Sequence, residues 1–309
     1  MAGIKWPDGK NFAFTIFDDP DFSTVQNTSE VYALLYDLGF KTTKSVWPLR
    51  SKIIPRVGGE ACEDGPYLSW VLDLQKKGFE IGFHNAASYS SLREDTIRGL
   101  DRFQELFGGY PQSMANHSLC QEGIYWGSAR LTGIEEAVYN LLTFYKRKNF
   151  FRGHVVGDPF FWGDLCKSRI KYVRNFVFSE INTLKVCPFM PYYDPARPFV
   201  NQWFASSNGG NVQDFVNCVN EFHQDRLEAE GGACIMYTHF AKGFQDGKVL
   251  NSRFKALMGR FAKKGGWFVP ATVLLDYLLK NHGGHVITDS ERATLESRWL
   301  FGKILKGPN

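Results

Sequence analysis

The chain has 309 residues, 44% of them hydrophobic and 22% charged, a balance that excludes extended disorder as its main state. Its formal net charge of +4 is too small and too scattered to point to nucleic acid. No apolar run reaches the roughly 20 residues that span a bilayer, and the aromatic residues, 16% of the chain, can fill a core or line a site for flat ligands such as sugar rings.

Residues 11–17 read as a buried strand that ends at Asp18, Asp19 and Pro20. Helical spacing over 31–38 ends at Gly39, residues 42–47 are strand-like, and 67–77 is an amphipathic helix stopped by Gly78. A short strand over 79–83 ends at His84. In the next helix Leu92, Ile97, Leu100, Phe103, Leu106 and Phe107 line one face; Ser91 and Glu94 fit a capping box, and Gly108, Gly109 and Pro111 end it. A strand over 112–116 leads to His117. Residues 120–169 show no regular pattern. Strands over 172–178 and 200–205 come next, then a helix marked by Val212, Phe215, Val216, Val219 and Phe222. The strand 233–237 ends at Thr238 and His239. A helix over 254–261, a strand over 267–269, a helix over 271–279 and a mixed-charge helix over 288–304 complete the chain.

Repeated β-α units imply a parallel sheet covered by helices, and seven or eight of them at this length favour a closed or nearly closed barrel over an open sheet. The expected architecture is an α/β barrel domain over 1–285, with a rim insertion near 120–170 and a helical extension over 286–309. The six cysteines, at 62, 120, 166, 187, 218 and 234, form no C-x-x-C pair, and the first residues carry no apolar secretory segment. The expectation is a cytoplasmic protein with reduced thiols and no transmembrane segment.

Function in such barrels collects at the C-terminal ends of the strands. Asp18, Asp19, His84, His117 and His239 stand at four of those ends. Carboxylate plus imidazole is a ligand set for zinc or another divalent ion. Three protein ligands leave a position for water, whose pKa the ion lowers; a second carboxylate can take the water's proton and a further histidine can protonate a leaving group. Taken singly, an Asp-Asp-Pro after a strand also fits a simple turn, and a lone histidine a structural residue. The repetition at strand ends is what points to one site. His154, His223, His282 and His285 have no comparable position.

These residues resemble a known family. Phe14-Thr-Ile-Phe-Asp-Asp-Pro20 resembles the T-F-D-D-G motif of the polysaccharide deacetylases, metal-dependent carbohydrate esterases with a distorted (β/α)7 barrel. Gly78-Phe-Glu-Ile-Gly-Phe-His84 resembles the G-x-E-I-x-x-H stretch of the second motif, and Ile235-Met-Tyr-Thr-His239 the late L-x-L-H motif. Gly266-Trp-Phe-Val269 followed by a helix matches the last unit. The resemblance implies that Asp18 is the general base, Asp19 and His84 are metal ligands, and His239 is the general acid toward the leaving amine. Two departures stand out. The family's second histidine, four residues after the first, is Ser88 here, and its R-x-P-Y motif is replaced by Met114-Ala-Asn-His-Ser118. His117 is therefore the expected third ligand beside Asp19 and His84.

Asn85 and Asn116 are candidate oxygen donors or substrate contacts. Asp158-Pro-Phe-Phe-Trp162 fits the family's D-x-x-x-W pattern, and Trp47, Trp126, Trp162 and Trp203 could stack on a sugar or fill the core. Asn201 and Gln202 could bind hydroxyls. Lys44 and Arg50 read as solvated surface residues, with holding a phosphate or carboxylate as the alternative. The expected function is a hydrolase dependent on a divalent metal, Zn2+ first among the candidates, that removes an N-acetyl or other acyl group from an amino sugar or glycan precursor. Two alternatives stay open: hydrolysis of another non-peptide C–N bond on the same site, or an inactive glycan-binding barrel.

Overall fold

The computed structural model describes residues 4–306. Seven strands, β1 (Phe12–Asp18), β2 (Thr43–Val46), β3 (Glu80–Phe83), β4 (Ser113–Met114), β5 (Tyr172–Phe178), β6 (Gln202–Gly209) and β7 (Ala233–Thr238), pair in chain order and in parallel. β7 pairs back onto β1 from Ala233 opposite Ala13 to Thr238 opposite Asp18, which closes the barrel. β8 (Gln245–Asp246) and β9 (Val249–Leu250) form a separate antiparallel ribbon. β10 (Gly266–Phe268) pairs with Phe12–Phe14 at the start of β1, whereas β2 pairs with Phe17 and Asp18 at its end. The seam between β1 and β2 is therefore filled by β10 in its lower half, and this distorts the ring.

The helices, in chain order, are α1 (Val25–Asp37), α2 (Gly65–Lys76), α3 (Arg93–Phe107), α4 (Gly133–Leu142), α5 (Gly163–Arg169), α6 (Thr183–Val186), α7 (Val212–Cys218), α8 (Glu221–Ala229), α9 (Ser252–Ala262), α10 (Ala271–His282) and α11 (Asp289–Lys306). Three of them depart from the sequence reading. α1 starts six residues before the apolar spacing does, because Thr24 and Asn27 exchange side-chain to backbone bonds in a capping box. The box expected at Ser91 and Glu94 does not form: Leu92 occupies the cap, and the Ser91 N–H donates to Glu122 Oε2 instead. The single helix expected over 212–222 is two, since Asn220 caps a new helix by accepting from the His223 N–H.

The insertion between β4 and β5 contains a 3-10 turn (Gly127–Arg130), α4 and α5. α11 fastens this insertion to the β5–β6 connection through a buried ionic network. Arg292 reaches Asp194 at 2.8 Å, and Glu296 accepts from Arg197 at 2.8 Å and from the Thr132 N–H at 2.7 Å. The ring of Trp299 packs on Tyr139 and Phe176. All six cysteines are buried, and no disulfide links them among the described residues; burial pushes the Cys62 thiol up to about 12, which leaves it inert at neutral pH. Among the described residues no helix is long and apolar enough to cross a membrane.

Alternation along β1 decides which aspartate enters the barrel. Phe12, Phe14 and Ile16 point outward, into a cluster with Tyr32 and Leu35 of α1 and Phe254 and Phe261 of α9. Phe17 points into the barrel, where it faces Phe204 and the Arg174 guanidinium. Side chains on a strand change face at every residue. Asp18 and Asp19 therefore belong to opposite sides of the wall.

Candidate active site

Asp18 falls on the outer side. Its Oδ2 accepts from Lys44 Nζ and from the Tyr32 hydroxyl, both at 2.9 Å, and its Oδ1 accepts from the Phe240 N–H at 2.8 Å. Lys44 is fully buried, against the surface reading, and also donates to Ser23 Oγ at 3.1 Å. Ser45 Oγ donates to the Asp18 carbonyl at 2.8 Å. Both carboxylate oxygens of Asp18, the expected base, are thus engaged on the outer side of the barrel wall. Asp18 ties together three segments: the end of β1, the turn at Ser23, and the residue after His239. Arg50, the other cation, is exposed and pairs with Asp64.

Asp19 falls on the inner side, where Arg174 grips it with both guanidinium nitrogens, one of them at 2.9 Å. Arg174 lies between the faces of Tyr237 and Phe17, 4.5 and 5.3 Å from their ring centroids. Burial alone would raise the Asp19 pKa; the Arg174 charge, helped by His84 and His239, outweighs it and holds the carboxyl below its usual range. The nearest His84 nitrogen lies 3.8 Å away, so Asp19 is offset from the histidine pair.

The carboxylate that meets both histidines is Asp21, two residues further on. Asp21 Oδ1 lies 3.5 Å from His84 Nε2 and 3.4 Å from His117 Nδ1, and those two nitrogens are 3.3 Å apart. Asp21 Oδ1 has no hydrogen-bond partner although it is buried. A tetrahedral ion with bonds of about 2.0–2.1 Å needs its ligand atoms roughly 3.3–3.4 Å apart. The three atoms form a triangle of that size, so the residues fit a divalent ion. The carboxylate oxygen that completes this triangle belongs to Asp21 and not to Asp19 of the expected set, because Asp19 is committed to Arg174. Burial would raise the Asp21 pKa, but the imidazoles of His117, His239 and His84 close around it hold it well below the usual carboxylate range. Burial pushes His84 below its ordinary value against the pull of Asp19 and Asp21.

His239 completes the ring of groups. Its Nδ1 bonds the Gly210 carbonyl at 2.7 Å, so that nitrogen carries the hydrogen and Nε2 faces inward. Nε2 is 3.4 Å from Asp21 Oδ2 and 3.3 Å from the Tyr237 hydroxyl. Trp47 packs edge-on against His117, with ring centroids 5.5 Å apart.

The remaining candidates have structural positions. Asn85 adopts φ 64, and its Oδ1 accepts from the His117 N–H at 2.8 Å, so it braces the backbone that carries a histidine. Asn116 bonds both the N–H and the carbonyl of Ile124, which closes the loop after His117. Trp162 and Trp203 are wholly buried, and Trp162 Nε1 donates to the Glu122 carbonyl at 2.6 Å; neither has a face left for a sugar. Trp47 is buried too, and Trp126 is covered by the Arg130 guanidinium at 3.5 Å. Asp158 pairs with Arg152, and Asn201 bonds the Lys167 and Ile170 carbonyls. Behind Asn85 and Cys120 sits Glu122, whose carboxyl burial pushes up to about 8.

Two residues of the candidate site have no counterpart among those singled out from the sequence. Arg174 was visible as a lone cation inside an apolar strand, and Asp21 as the third aspartate of Asp18-Asp19-Pro20-Asp21. Parity along β1, applied to Phe12, Phe14 and Ile16, would have separated Asp18 from Asp19.

No family model matches the chain, and no curated protein matches it by sequence. Solved structures do. A Mycobacterium smegmatis protein assigned to the polysaccharide deacetylases superposes over 93% of this chain and 96% of its own, at 13% identity and a TM-score of 0.54. The Puue allantoinase superposes over 91% and 95%, at 12% identity and a TM-score of 0.50. The chain thus has the fold of these structures, a distorted seven-strand parallel barrel, as the motif resemblance implied.

Proposed function

We propose that this chain is a divergent member of the polysaccharide deacetylase family, a metal-dependent hydrolase that removes an N-acyl group from an amino sugar. The observation that carries the reading is the triangle of Asp21 Oδ1, His84 Nε2 and His117 Nδ1, flanked by the Arg174-held Asp19 on one side and His239 on the other. A divalent ion held by Asp21, His84 and His117, most simply Zn2+, would supply Lewis acidity toward water and toward an amide carbonyl.

The protein's own groups account for the proton movements. Asp19, kept ionised by Arg174, accepts the proton of the attacking water at a carboxylate oxygen. The fork of Arg174 fixes that oxygen in place and keeps the carboxylate out of the ligand set. His239 in its doubly protonated form delivers the Nε2 proton to the departing nitrogen and is left as the neutral ring with its hydrogen on Nδ1, which the Gly210 carbonyl holds throughout. Asn85 holds the backbone of His117 and so sets the angle of the imidazole. This replaces Asp18 by Asp19 as base and Asp19 by Asp21 as ligand.

The test is acetate release from a panel of N-acetylated amino sugars, sugar nucleotides and lipid-linked amino sugars, with the Zn2+-reconstituted protein. Release from one or more that disappears in His239→Ala and Asp19→Asn supports the reading. Zn2+-loaded protein that releases nothing from any of them contradicts it. The likeness to an allantoinase keeps a second substrate class in the panel, a non-peptide C–N bond outside an amino sugar, which the same residues could serve.

A further inference from the structure

Residues 137–157 of the insertion contain no Asp or Glu but carry Lys146, Arg147, Lys148 and Arg152. Arg152 pairs with Asp158; among the described residues no carboxylate pairs with Lys146, Arg147 or Lys148. Large apolar side chains stand in solvent along the same stretch. Phe144 is 81% exposed, Leu141 64% and Tyr145 57%, and Ile134 at the start of α4 is 78% exposed.

The backbone adds to this. Phe144 and Tyr145 both lie in the left-handed region, at φ 49 and 59. Two consecutive aromatic residues rarely adopt it, and it costs free energy that a packing contact would normally return. Here the pair closes the end of α4, where the Tyr145 N–H donates to the Asn140 carbonyl at 2.7 Å, and both side chains stand mostly in solvent.

Exposed aromatic and aliphatic side chains beside cations that have no carboxylate partner match an anionic lipid surface. Apolar groups enter the boundary between headgroups and acyl chains while Lys and Arg meet the phosphates. The core of a protein–protein interface is, by contrast, depleted in lysine. The segment also lies on the rim that bears the candidate site: Arg147 Nη1 donates to the Ser118 carbonyl at 3.1 Å, one residue past His117.

We propose that residues 141–148 form a membrane-surface docking patch for anionic lipid, which brings the catalytic rim to the bilayer. The patch stands independently of the chemistry proposed above. If that chemistry holds, an amino sugar carried on a lipid is the substrate the patch would present.

The experiment is co-sedimentation of the full chain with vesicles of phosphatidylcholine alone and of phosphatidylcholine containing phosphatidylglycerol. Binding is expected only to the anionic vesicles. Each cation near such a surface is worth roughly a factor of five in partition, so Lys146→Gln/Lys148→Gln should bind about 25-fold more weakly. Phe144→Ser/Tyr145→Ser should lose a comparable factor, and most of the binding that persists at high salt. Both pairs are at the surface, and unchanged circular dichroism checks their folding. The proposal is overturned if the wild-type chain ignores anionic vesicles or if Phe144→Ser/Tyr145→Ser binds them unchanged. It is equally overturned if the chain binds no vesicles and instead forms a dimer that Phe144→Ser/Tyr145→Ser disrupts. Binding to soluble dextran sulfate in place of vesicles would assign the surface to a polyanionic glycan and overturn it as well.

Discussion

Replacing Lys44 by Met tests whether the Asp18–Lys44 pair holds the site together. Both side chains are completely buried, and the pair is 2.9 Å apart. Removing one partner of a buried ion pair leaves the other charge uncompensated, at a cost of about 3–5 kcal/mol. At about 2.1 cal/mol/K per residue, a 309-residue chain would then melt about 5–8 °C lower. Asp18→Asn removes the charge but keeps an oxygen for the Tyr32 hydroxyl and the Phe240 N–H. The double variant Lys44→Met/Asp18→Asn should therefore cost about 1–3 kcal/mol less than the two singles added together. The assay is urea denaturation of the four proteins, with acetate release measured alongside. Because Asp18 bonds the residue after His239 and Lys44 bonds Ser23, activity should fall in Lys44→Met even under conditions where the variant is fully folded. A loss under about 1 kcal/mol, or singles that simply add, would refute the reasoning and return Asp18 to the candidate bases.

Three further outcomes rest on named contacts. Arg174→Gln should lower kcat about 10²–10⁴-fold with little change in KM, the range for a misplaced general base; steady-state kinetics read it. Glu122 has a folded-state pKa of about 8 against the ordinary 4.5, so the folded state keeps a proton that the unfolded state has lost. Its contribution to stability is full below about pH 4.5 and is lost as pH rises to about 8, a difference of a few kcal/mol, on the order of 1.36 kcal/mol per unit; Glu122→Gln should flatten that slope in denaturant midpoints measured across the window. Asn85→Ala should cost about 2 kcal/mol, half from the lost bond to the His117 N–H and half from forcing alanine to φ 64, and Asn85→Gly should recover the second half in the same assay.

Much of the barrel was legible because its strands are short apolar runs between glycines and strand-end polar residues. β5 was read to the residue, and β7 to within one. The insertion was not legible, since α4 and α5 are held by contacts with distant parts of the chain, such as Glu296 to Thr132, and not by local periodicity. Of the site, His84, His117 and His239 were identifiable by position at strand ends, and the structure gathers all three around Asp21. The placement of the aspartates was not, because the motif resemblance goes by order along the chain, whereas the side of the wall decides what each one meets: Asp18 shares the outer face with Phe14 and Ile16, Asp19 enters the lumen opposite Arg174, and Asp21, past Pro20, reaches the histidines. The tryptophans misled because burial cannot be read from residue type. Trp162 and Trp203 serve the core, as large aromatic residues commonly do.

The most direct test of the proposed centre is the metal content of the wild-type chain and of Asp19→Asn, Asp21→Ala and His117→Ala after Zn2+ reconstitution and desalting, read by inductively coupled plasma mass spectrometry. About one ion per chain is expected in the wild type and in Asp19→Asn, as for a single three-residue ligand set, with loss of the ion in Asp21→Ala and His117→Ala. An ion retained by Asp21→Ala and lost from Asp19→Asn would contradict the assignment of Asp21 as ligand and Asp19 as base.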